Sequence, residues 1–198
     1  MLHPVTLAGR HVRLEPLAPD HVPALAGVAF DPELWRWTRT SLCTPDDVRE
    51  YVESALHDRE TGLALPFATV EAASGRVIGS TRFANGSAED RRVEIGWTWV
   101  ARPWQRTPAN TEAKYLMLRH AFETLGCVRV ELKTDALNEK SRAAILRLGA
   151  KEEGILRRHM RAGGGRMRDT VYFGILDDEW PAVKAGLEAK LARPWNAR

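Results

Sequence analysis

The sequence predicts an α/β (α+β) fold, in which helices flank a mixed, mostly antiparallel sheet of about seven strands. Alternating segments follow one another without helices between residues 65 and 101, which predicts an antiparallel meander. Two helical patterns then flank an alternating segment at 128–135. With 198 residues and 44% hydrophobic content, the chain suits one domain, so we expect a single domain over 1–198 with a core over 11–192.

The N-terminal quarter predicts one strand and two helices. Residues 11–17 alternate as a strand, and Asp20 can cap a short helix after it. Thr44 followed by proline and two acids is typical of a helix start. Between these helices lie Trp35 and Trp37, which either pin the loop to the core or line a pocket.

The predicted meander has strands at 65–72, 76–84 and 93–101. In the third strand, alternation predicts that Glu94 lies on one face and that the opposite face carries Val93, Ile95, Trp97 and Trp99. Gly96, in an otherwise bulky strand, indicates a β-bulge, a close backbone approach or a plain strand glycine.

The segment after this strand predicts a polar turn and an amphipathic helix. Thr107 can cap the helix, Pro108 suits its first position, and Gly126 suits its end. The first N–H groups of such a helix lack intrahelical partners and lie at the positive end of its dipole, which suits a phosphate. The alternative is an ordinary, well-capped surface helix.

The rest of the chain predicts a strand at 128–135 and a helix capped by Asn138 and ended by Gly149. A hairpin of strands 151–161 and 166–176 follows, and then a helix that starts near Trp180. The order of strand, polar turn, helix, strand, capped helix and glycine resembles the Gcn5-related N-acetyltransferase (GNAT) superfamily. The branch it resembles most is that of the ribosomal-protein alanine acetyltransferases, and the likeness is most specific over 94–150.

The resemblance implies an acetyl-CoA-dependent N-acetyltransferase that works by direct attack in a ternary complex. Gln105 aligns with the first position of the superfamily pattern Gln/Arg-x-x-Gly-x-Gly/Ala, whereas Pro108 and Asn110 replace the usual glycine and small residue. The continuation through Thr111, Glu112 and Ala113 is similar to this branch. The implied cofactor-binding residues are Trp99 through its backbone, Gln105, Arg106, Thr107, Ala109, Asn110, Thr111, Asn138 and Ser141.

The resemblance also implies catalytic roles for Glu94, Asn138 and Ser141. Glu94 would take the proton of the amine, and the Asn-x-x-Ser pair would contact the pantetheine and the thiolate. The alternative for Glu94 is a salt bridge with an arginine such as Arg82 or Arg129. Asn138 can equally be explained as a helix cap alone. His159 is a second candidate base.

Several classes of function are disfavoured by composition. The net charge of +3 is too mild to predict nucleic-acid binding, and the histidines show no metal-ligand spacing. No apolar run could cross a membrane and the start is unlike a signal peptide, so we expect a cytoplasmic protein. The acceptor would be a small-molecule amine or a protein N-terminus, and a homodimer is plausible.

A second hypothesis is a GNAT-fold binding module without catalysis, for RNA or an acidic protein. This hypothesis rests on the altered phosphate turn and on the arginines of the last hairpin, which would contact the RNA or the acidic protein. Alternatively, these arginines form a solvated strand surface or receive an anion. These arginines are Arg157, Arg158, Arg161, Arg166 and Arg168.

Overall fold

The computed structural model describes residues 2–195, and in that range it contains eight strands and five α-helices. Residues 1 and 196–198, the ends of the predicted domain, lie outside the described residues. The strands are β1 (Leu7–Ala8), β2 (Val12–Pro16), β3 (Ala64–Glu71), β4 (Val77–Ser87), β5 (Arg92–Val100), β6 (Arg129–Asp135), β7 (Lys151–Arg161) and β8 (Met167–Leu176). The helices are α1 (Val22–Ala29), α2 (Pro45–Glu60), α3 (Pro108–Arg119), α4 (Glu139–Leu148) and α5 (Trp180–Leu191).

All eight strands form one sheet in the order β1-β2-β3-β4-β5-β6-β8-β7. Only the β5–β6 pair is parallel among the described strands, so the predicted mixed, mostly antiparallel sheet is confirmed. The parallel register joins 92–94 to 129–131, and beyond it the described residues of the two strands do not pair. The sheet therefore opens into a cleft at its centre. Strand β1 was not predicted because two residues are too short to show alternation.

The helices cover the two faces of the sheet in two groups. Helices α3, α4 and α5 pack on one face, where Met117 and Phe173 are fully buried. Helices α1 and α2 pack on the other face with Leu25, Tyr51 and Trp99. Each apolar face of the sheet is thus removed from water by its own layer, and the central cleft lies between the layers.

A β-bulge interrupts β5 at the edge of this cleft. Ser80 pairs with Trp99 while Arg82 pairs with Gly96, so β5 carries one residue more than β4 in this interval. Trp97 has a φ of 49°, which costs a non-glycine residue roughly 1–2 kcal/mol. Beyond the bulge the faces are exchanged, and Trp99 packs with α1 and α2 whereas Val93 and Ile95 pack with α3. The predicted alternation is therefore wrong beyond Gly96, because the extra residue shifts the period of two.

The predicted helix ends agree with the structure except at α1, whose N-cap is His21 and not Asp20. Thr44 and Asp47 form a reciprocal capping box at α2, and Thr107 caps α3. The helix predicted to run to Gly126 changes to a π-helical turn at 120–124 before that glycine, which has a φ of 65°. Among residues 2–195 no helix combines the length and the apolar character needed to cross a bilayer.

Candidate functional site

The first turn of α3 faces the cleft with several free N–H groups. Thr107 Oγ1 accepts a hydrogen bond from the Ala109 N–H at 3.3 Å and donates to the Trp104 carbonyl at 2.7 Å. Within residues 2–195, no acceptor bonds the N–H groups of Arg106, Thr107 and Asn110. The side chain of Gln105 is engaged elsewhere, because its Nε2 donates to the Val100 carbonyl at 2.9 Å. It therefore ties the turn to the end of β5.

The two unusual residues of this turn have different surroundings. Pro108 is buried at the first helical position, where no N–H is needed. Asn110 Oδ1 is buried and makes no hydrogen bond within the described part of the chain. A buried amide oxygen without a partner is uncommon in a folded protein and indicates a group whose partner is not part of the chain.

A second helix start lies on the other side of the cleft, at the end of β6. Asn138 Oδ1 accepts a hydrogen bond from the Ser141 N–H at 3.1 Å, so the predicted cap is present. Among the described residues, neither the Asn138 Nδ2 group nor the Ser141 hydroxyl is engaged by another protein group. Both remain available as donors, and capping does not compete with ligand contact.

Glu112, in the same helix as the open turn, serves the fold. Its carboxylate accepts hydrogen bonds from the backbone N–H groups of Arg10, His11 and Val12 at 2.9, 2.6 and 2.7 Å. It is buried and fastens α3 to the turn between β1 and β2. A Cβ atom at Gly9 would lie 2.5 Å from this carboxylate, so the turn needs glycine there.

Glu94 is 2% exposed on β5, at the point where β5 and β6 part. Its Oε2 accepts from Asn85 Nδ2 and from Lys133 Nζ, both at 2.8 Å. The ion pair is thus formed with a lysine on β6 and not with either of the predicted arginines. Arg129 instead pairs with Glu131 and Glu153.

Arg82 is 3% exposed on β4, opposite Gly96 at the bulge. Its guanidinium carbon lies 4.9 Å from the ring centre of Tyr51 and 5.5 Å from that of Trp97. Its Nη1 donates to Asp58 at 3.1 Å, whereas its buried Nε has no partner among the described residues.

A cavity of about 330 Å³ opens beside this arginine, between α2 and the bulge. Trp97, which is 43% exposed, forms its inner wall. The rim mixes hydroxyl and carboxylate groups from Thr40, Ser41, Glu50 and Ser54. The cavity therefore offers an aromatic floor and polar partners beside the bulged backbone.

The two tryptophans of the loop before α2 have different roles. Trp35 is buried, donates its Nε1–H to the Ala29 carbonyl at 2.7 Å and packs on Trp99 at 5.3 Å. Trp37 instead lies under the guanidinium of Arg166 at 5.7 Å, next to the β7–β8 hairpin. One tryptophan pins the loop to the core, and the other joins it to the wall of the cleft.

The arginines of the last hairpin do not form one solvated patch. Arg166 pairs with the buried carboxylate of Asp135, and Arg168 is buried with its Nε bonded to Thr170 at 3.0 Å. Burial lowers the pKa of Arg168 below its usual value. Arg157, Arg158 and Arg161 are exposed. His159 packs edge-on against Tyr172 at 5.8 Å, so it faces β8.

The comparisons of this chain with known proteins agree on one family. A family model described as the acetyltransferase (GNAT) domain matches residues 11–151. The Bacillus subtilis (strain 168) protein named ribosomal N-acetyltransferase YdaF is 32% identical over 140 residues, 71% of this chain and 70% of that protein. A crystal structure titled as an acetyltransferase from T. thermophilus is 39% identical, with a TM-score of 0.87 over 96% of this chain and 99% of that one. Mycobacterium smegmatis RimJ, solved in complex with CoA-disulfide, is 24% identical, with a TM-score of 0.80 over 96% and 94% of the two chains.

Proposed function

Because the chain belongs to the GNAT family of N-acetyltransferases, we propose that it transfers an acetyl group from acetyl-CoA to a primary amine by direct attack in a ternary complex. The observation that carries this proposal is the open start of α3 beside the central cleft. Three N–H groups without protein partners, at the positive end of a helix, suit a pyrophosphate. We further propose that residues 1–198 form one acetyltransferase domain.

The residues present fit coenzyme A. The N–H groups of Arg106, Thr107 and Asn110 would hold its phosphates with Thr111 next to them in the first turn, while Ala109 is engaged by the Thr107 cap. The Asn138 amide and the Ser141 hydroxyl would face its pantetheine arm and its sulfur. When bound, acetyl-CoA supplies a thioester carbonyl that a neutral amine can attack. The CoA adduct of the RimJ structure, a protein with the same fold, supports this choice of donor.

The bulge in β5 supports a backbone site for the acyl oxygen. N–H groups on this part of β5 can point into the cleft because the strand has no described partner on that side beyond Glu94. We assign the oxyanion contact to the backbone of residues 97–99. The Trp99 side chain is packed in the core and contributes nothing to it beyond position. Fixed N–H dipoles at a developing oxyanion are a large source of rate acceleration.

The acceptor amine would occupy the cavity between α2 and the bulge. Glu94 lies on the same face of the sheet as Arg82, which lines this cavity, and would receive the proton that the amine must lose, while Lys133 and Asn85 hold the orientation of the carboxylate. A covalent acyl-enzyme is disfavoured, because Cys127 is buried and its burial raises the pKa of the thiol. The acceptor would be a small-molecule amine or a protein N-terminus.

Two measurements test the proposal. Calorimetry with acetyl-CoA should show micromolar to millimolar binding, and a panel of amines and N-terminal peptides should reveal acetyl-CoA consumption. An absence of binding at millimolar acetyl-CoA, together with salt-sensitive RNA binding, would instead support the non-catalytic module.

A single substitution tests the base. Glu94→Gln should lower kcat at neutral pH by about 10²-fold or more, the usual size of a general-base contribution, while acetyl-CoA affinity persists. Asp58→Asn, which alters a carboxylate bonded to Arg82 in the same cavity, is the comparison for a purely electrostatic change. Unchanged turnover in Glu94→Gln would remove this residue from the base role.

A further inference from the structure

Lys114 is a buried amine that the proposed chemistry does not use. It lies in the second turn of α3, is 5% exposed and forms no ion pair with a carboxylate of the described residues. Removal from water disfavours the charged form and lowers the pKa of Lys114 to about 7. Such a lysine is unusual, since buried ammonium groups are normally paired.

The partners of this amine are two threonine hydroxyls on neighbouring strands. Lys114 Nζ donates to Thr98 Oγ1 on β5 and, at 3.3 Å, to Thr81 Oγ1 on β4. The two hydroxyl oxygens lie 2.7 Å apart. We call these three residues the Lys114 cluster. It joins α3 to both strands at the position of the bulge.

The Lys114 cluster replaces a bond that the bulge removes from the sheet. The register between β4 and β5 shifts between Ser80 and Arg82, so the ladder is interrupted beside Gly96. The hydroxyls of Thr98 and Thr81 lie 3.3 and 3.4 Å from the Gly96 carbonyl oxygen and can donate to it. A carbonyl that would otherwise lack a partner is thereby satisfied.

The next residue after that carbonyl is the strained one. Trp97 has its φ at 49°, and such a conformation persists only when the surroundings hold it. Thr98 follows directly, is exposed toward the cleft and accepts a hydrogen bond from the Lys114 amine. The position of the 97–99 backbone therefore depends on where Lys114 holds Thr98.

We propose that Lys114 is a positioning residue, which acts through Thr98 to fix the bulged backbone of residues 97–99 against the acyl group. This inference rests on the proposed function, because it assigns the amine a task only if that backbone binds an acyl oxygen. Lys114 itself touches neither donor nor acceptor.

The proposal predicts that replacing Lys114 has opposite effects on stability and on turnover. Two hydroxyls do not compensate a buried amine for its lost hydration, so an apolar residue of similar length should stabilise the fold. If Lys114 served only to stabilise the fold, its replacement would instead lower the melting temperature. We therefore expect Lys114→Met to unfold at a higher temperature than the wild type and to turn over at least tenfold more slowly, with KM and Kd for acetyl-CoA within about twofold, a change worth about 0.4 kcal/mol. Lys190→Met, which removes an amine of α5 that donates to the Arg147 carbonyl, is the control: it should leave kcat unchanged and should not raise the melting temperature.

A matched pair at Thr98 provides the second arm, in case Lys114→Met does not fold. Thr98→Val keeps the shape and removes the hydroxyl, and should reproduce the loss of kcat. Thr98→Ser keeps the hydroxyl and should retain kcat within about threefold of the wild type, a change worth about 0.7 kcal/mol.

Two results would overturn the inference while leaving the proposed function intact. One is that the wild type is active and that both Lys114→Met and Thr98→Val have the same kcat as the wild type. The other is a parallel loss of melting temperature and kcat in both variants, which would indicate a purely structural cluster. If the wild type itself consumed no acetyl-CoA with any amine, the proposed function would fail first and the inference with it.

Discussion

Helices α2 and α3 begin with the same two residues, yet one start is closed and the other is open. In α2, the side chain of Asp47 accepts from the Cys43 and Thr44 N–H groups, both at 2.8 Å, and its own N–H donates to Thr44 Oγ1 at 3.2 Å. In α3, Asn110 occupies the equivalent position, and its side-chain oxygen bonds no described residue. A threonine–proline start therefore predicts a helix but not an anion site.

The difference lies in the third residue of the helix. A carboxylate there returns to the preceding N–H groups and satisfies them from within the chain. These bonds also lower the pKa of Asp47 below its usual value. A neutral amide at the same place leaves the positive end of the dipole for an external anion. The contrast can be tested by exchanging the two side chains.

The largest effect is expected for Asn110→Asp, which would give α3 the closed start of α2. The new carboxylate competes for the free N–H groups and repels the pyrophosphate, and unit charges 4 Å apart interact by about 4 kcal/mol near a protein surface. We expect acetyl-CoA affinity, measured by calorimetry, to fall at least about 100-fold, or 2.7 kcal/mol. Asn110→Ala is the neutral control and should bind at least as tightly as the wild type. Equal binding by Asn110→Asp would show that this start does not receive the phosphates.

Glu112→Gln addresses the single acid of α3, whose carboxylate is engaged by the β1–β2 turn. An amide would lose charge-assisted bonds and turn an N–H₂ group toward three N–H donors. We expect a loss of about 2–3 kcal/mol in the free energy of unfolding, hence about 5–10 °C in Tm. Glu53→Gln, on the exposed side of α2, is the matched control. A Tm equal to the wild-type value would mean that the turn is held by other contacts.

Thr107→Val tests the single cap that α3 does possess. The hydroxyl bonds one N–H group and the Trp104 carbonyl, and loss of an N-cap costs about 1 kcal/mol. We expect a Tm lower by about 2–4 °C and a change in acetyl-CoA affinity below tenfold, because the other N–H groups are untouched. A collapse of affinity beyond 100-fold would show that the hydroxyl itself contacts the cofactor.

The smallest effect is expected for Asp47→Asn, which would open the start of α2. Its pKa is lowered in the folded state, so the carboxylate stabilises the fold fully above the unfolded value near 3.8, and this contribution is lost as the pH falls from there through the lower pKa of the folded state. Thermal unfolding should give the wild type a slightly higher Tm at pH 7, and this advantage should shrink as the pH falls below 3.8. Acetyl-CoA affinity should not change. An advantage that does not shrink with falling pH would contradict the capping role.

Local chemistry made the helix starts predictable from sequence. Thr44, Thr107 and Asn138 were recognised as caps because the cap and the N–H group that donates to it lie within three residues of each other. Gly96 in β5 likewise indicated a β-bulge as one of its three interpretations, and the bulge is present. The sheet class followed from the same kind of pattern, since a meander needs only consecutive alternating segments.

Long-range partners were not predictable in the same way. Lys133 reaches Glu94 only because β5 and β6 pair in parallel, and no local pattern fixes that register. Arg82 was considered as a partner of Glu94 and lies on the same face of the sheet, but its guanidinium pairs with Asp58 of α2 instead. In the sequence, nothing distinguishes Lys114 from the other polar residues of an amphipathic helix. Only the packing of α3 over β4 and β5 shows that it is buried. The cavity beside Arg82 combines residues from four separate segments, which alternation alone could not assemble.

The extra residue in β5 acts as a phase shift in the strand. Residues before it send odd-numbered side chains toward α3, and residues after it send even-numbered ones there, as Val93 and Val100 illustrate. Deleting one residue from 96–98 would restore an uninterrupted ladder to β4 and leave Trp99 opposite Ser80, on the side of α1 and α2. A shorter strand would thus keep both cores and lose only the bulged backbone at the cleft, so the extra residue is not required for the packing of the sheet.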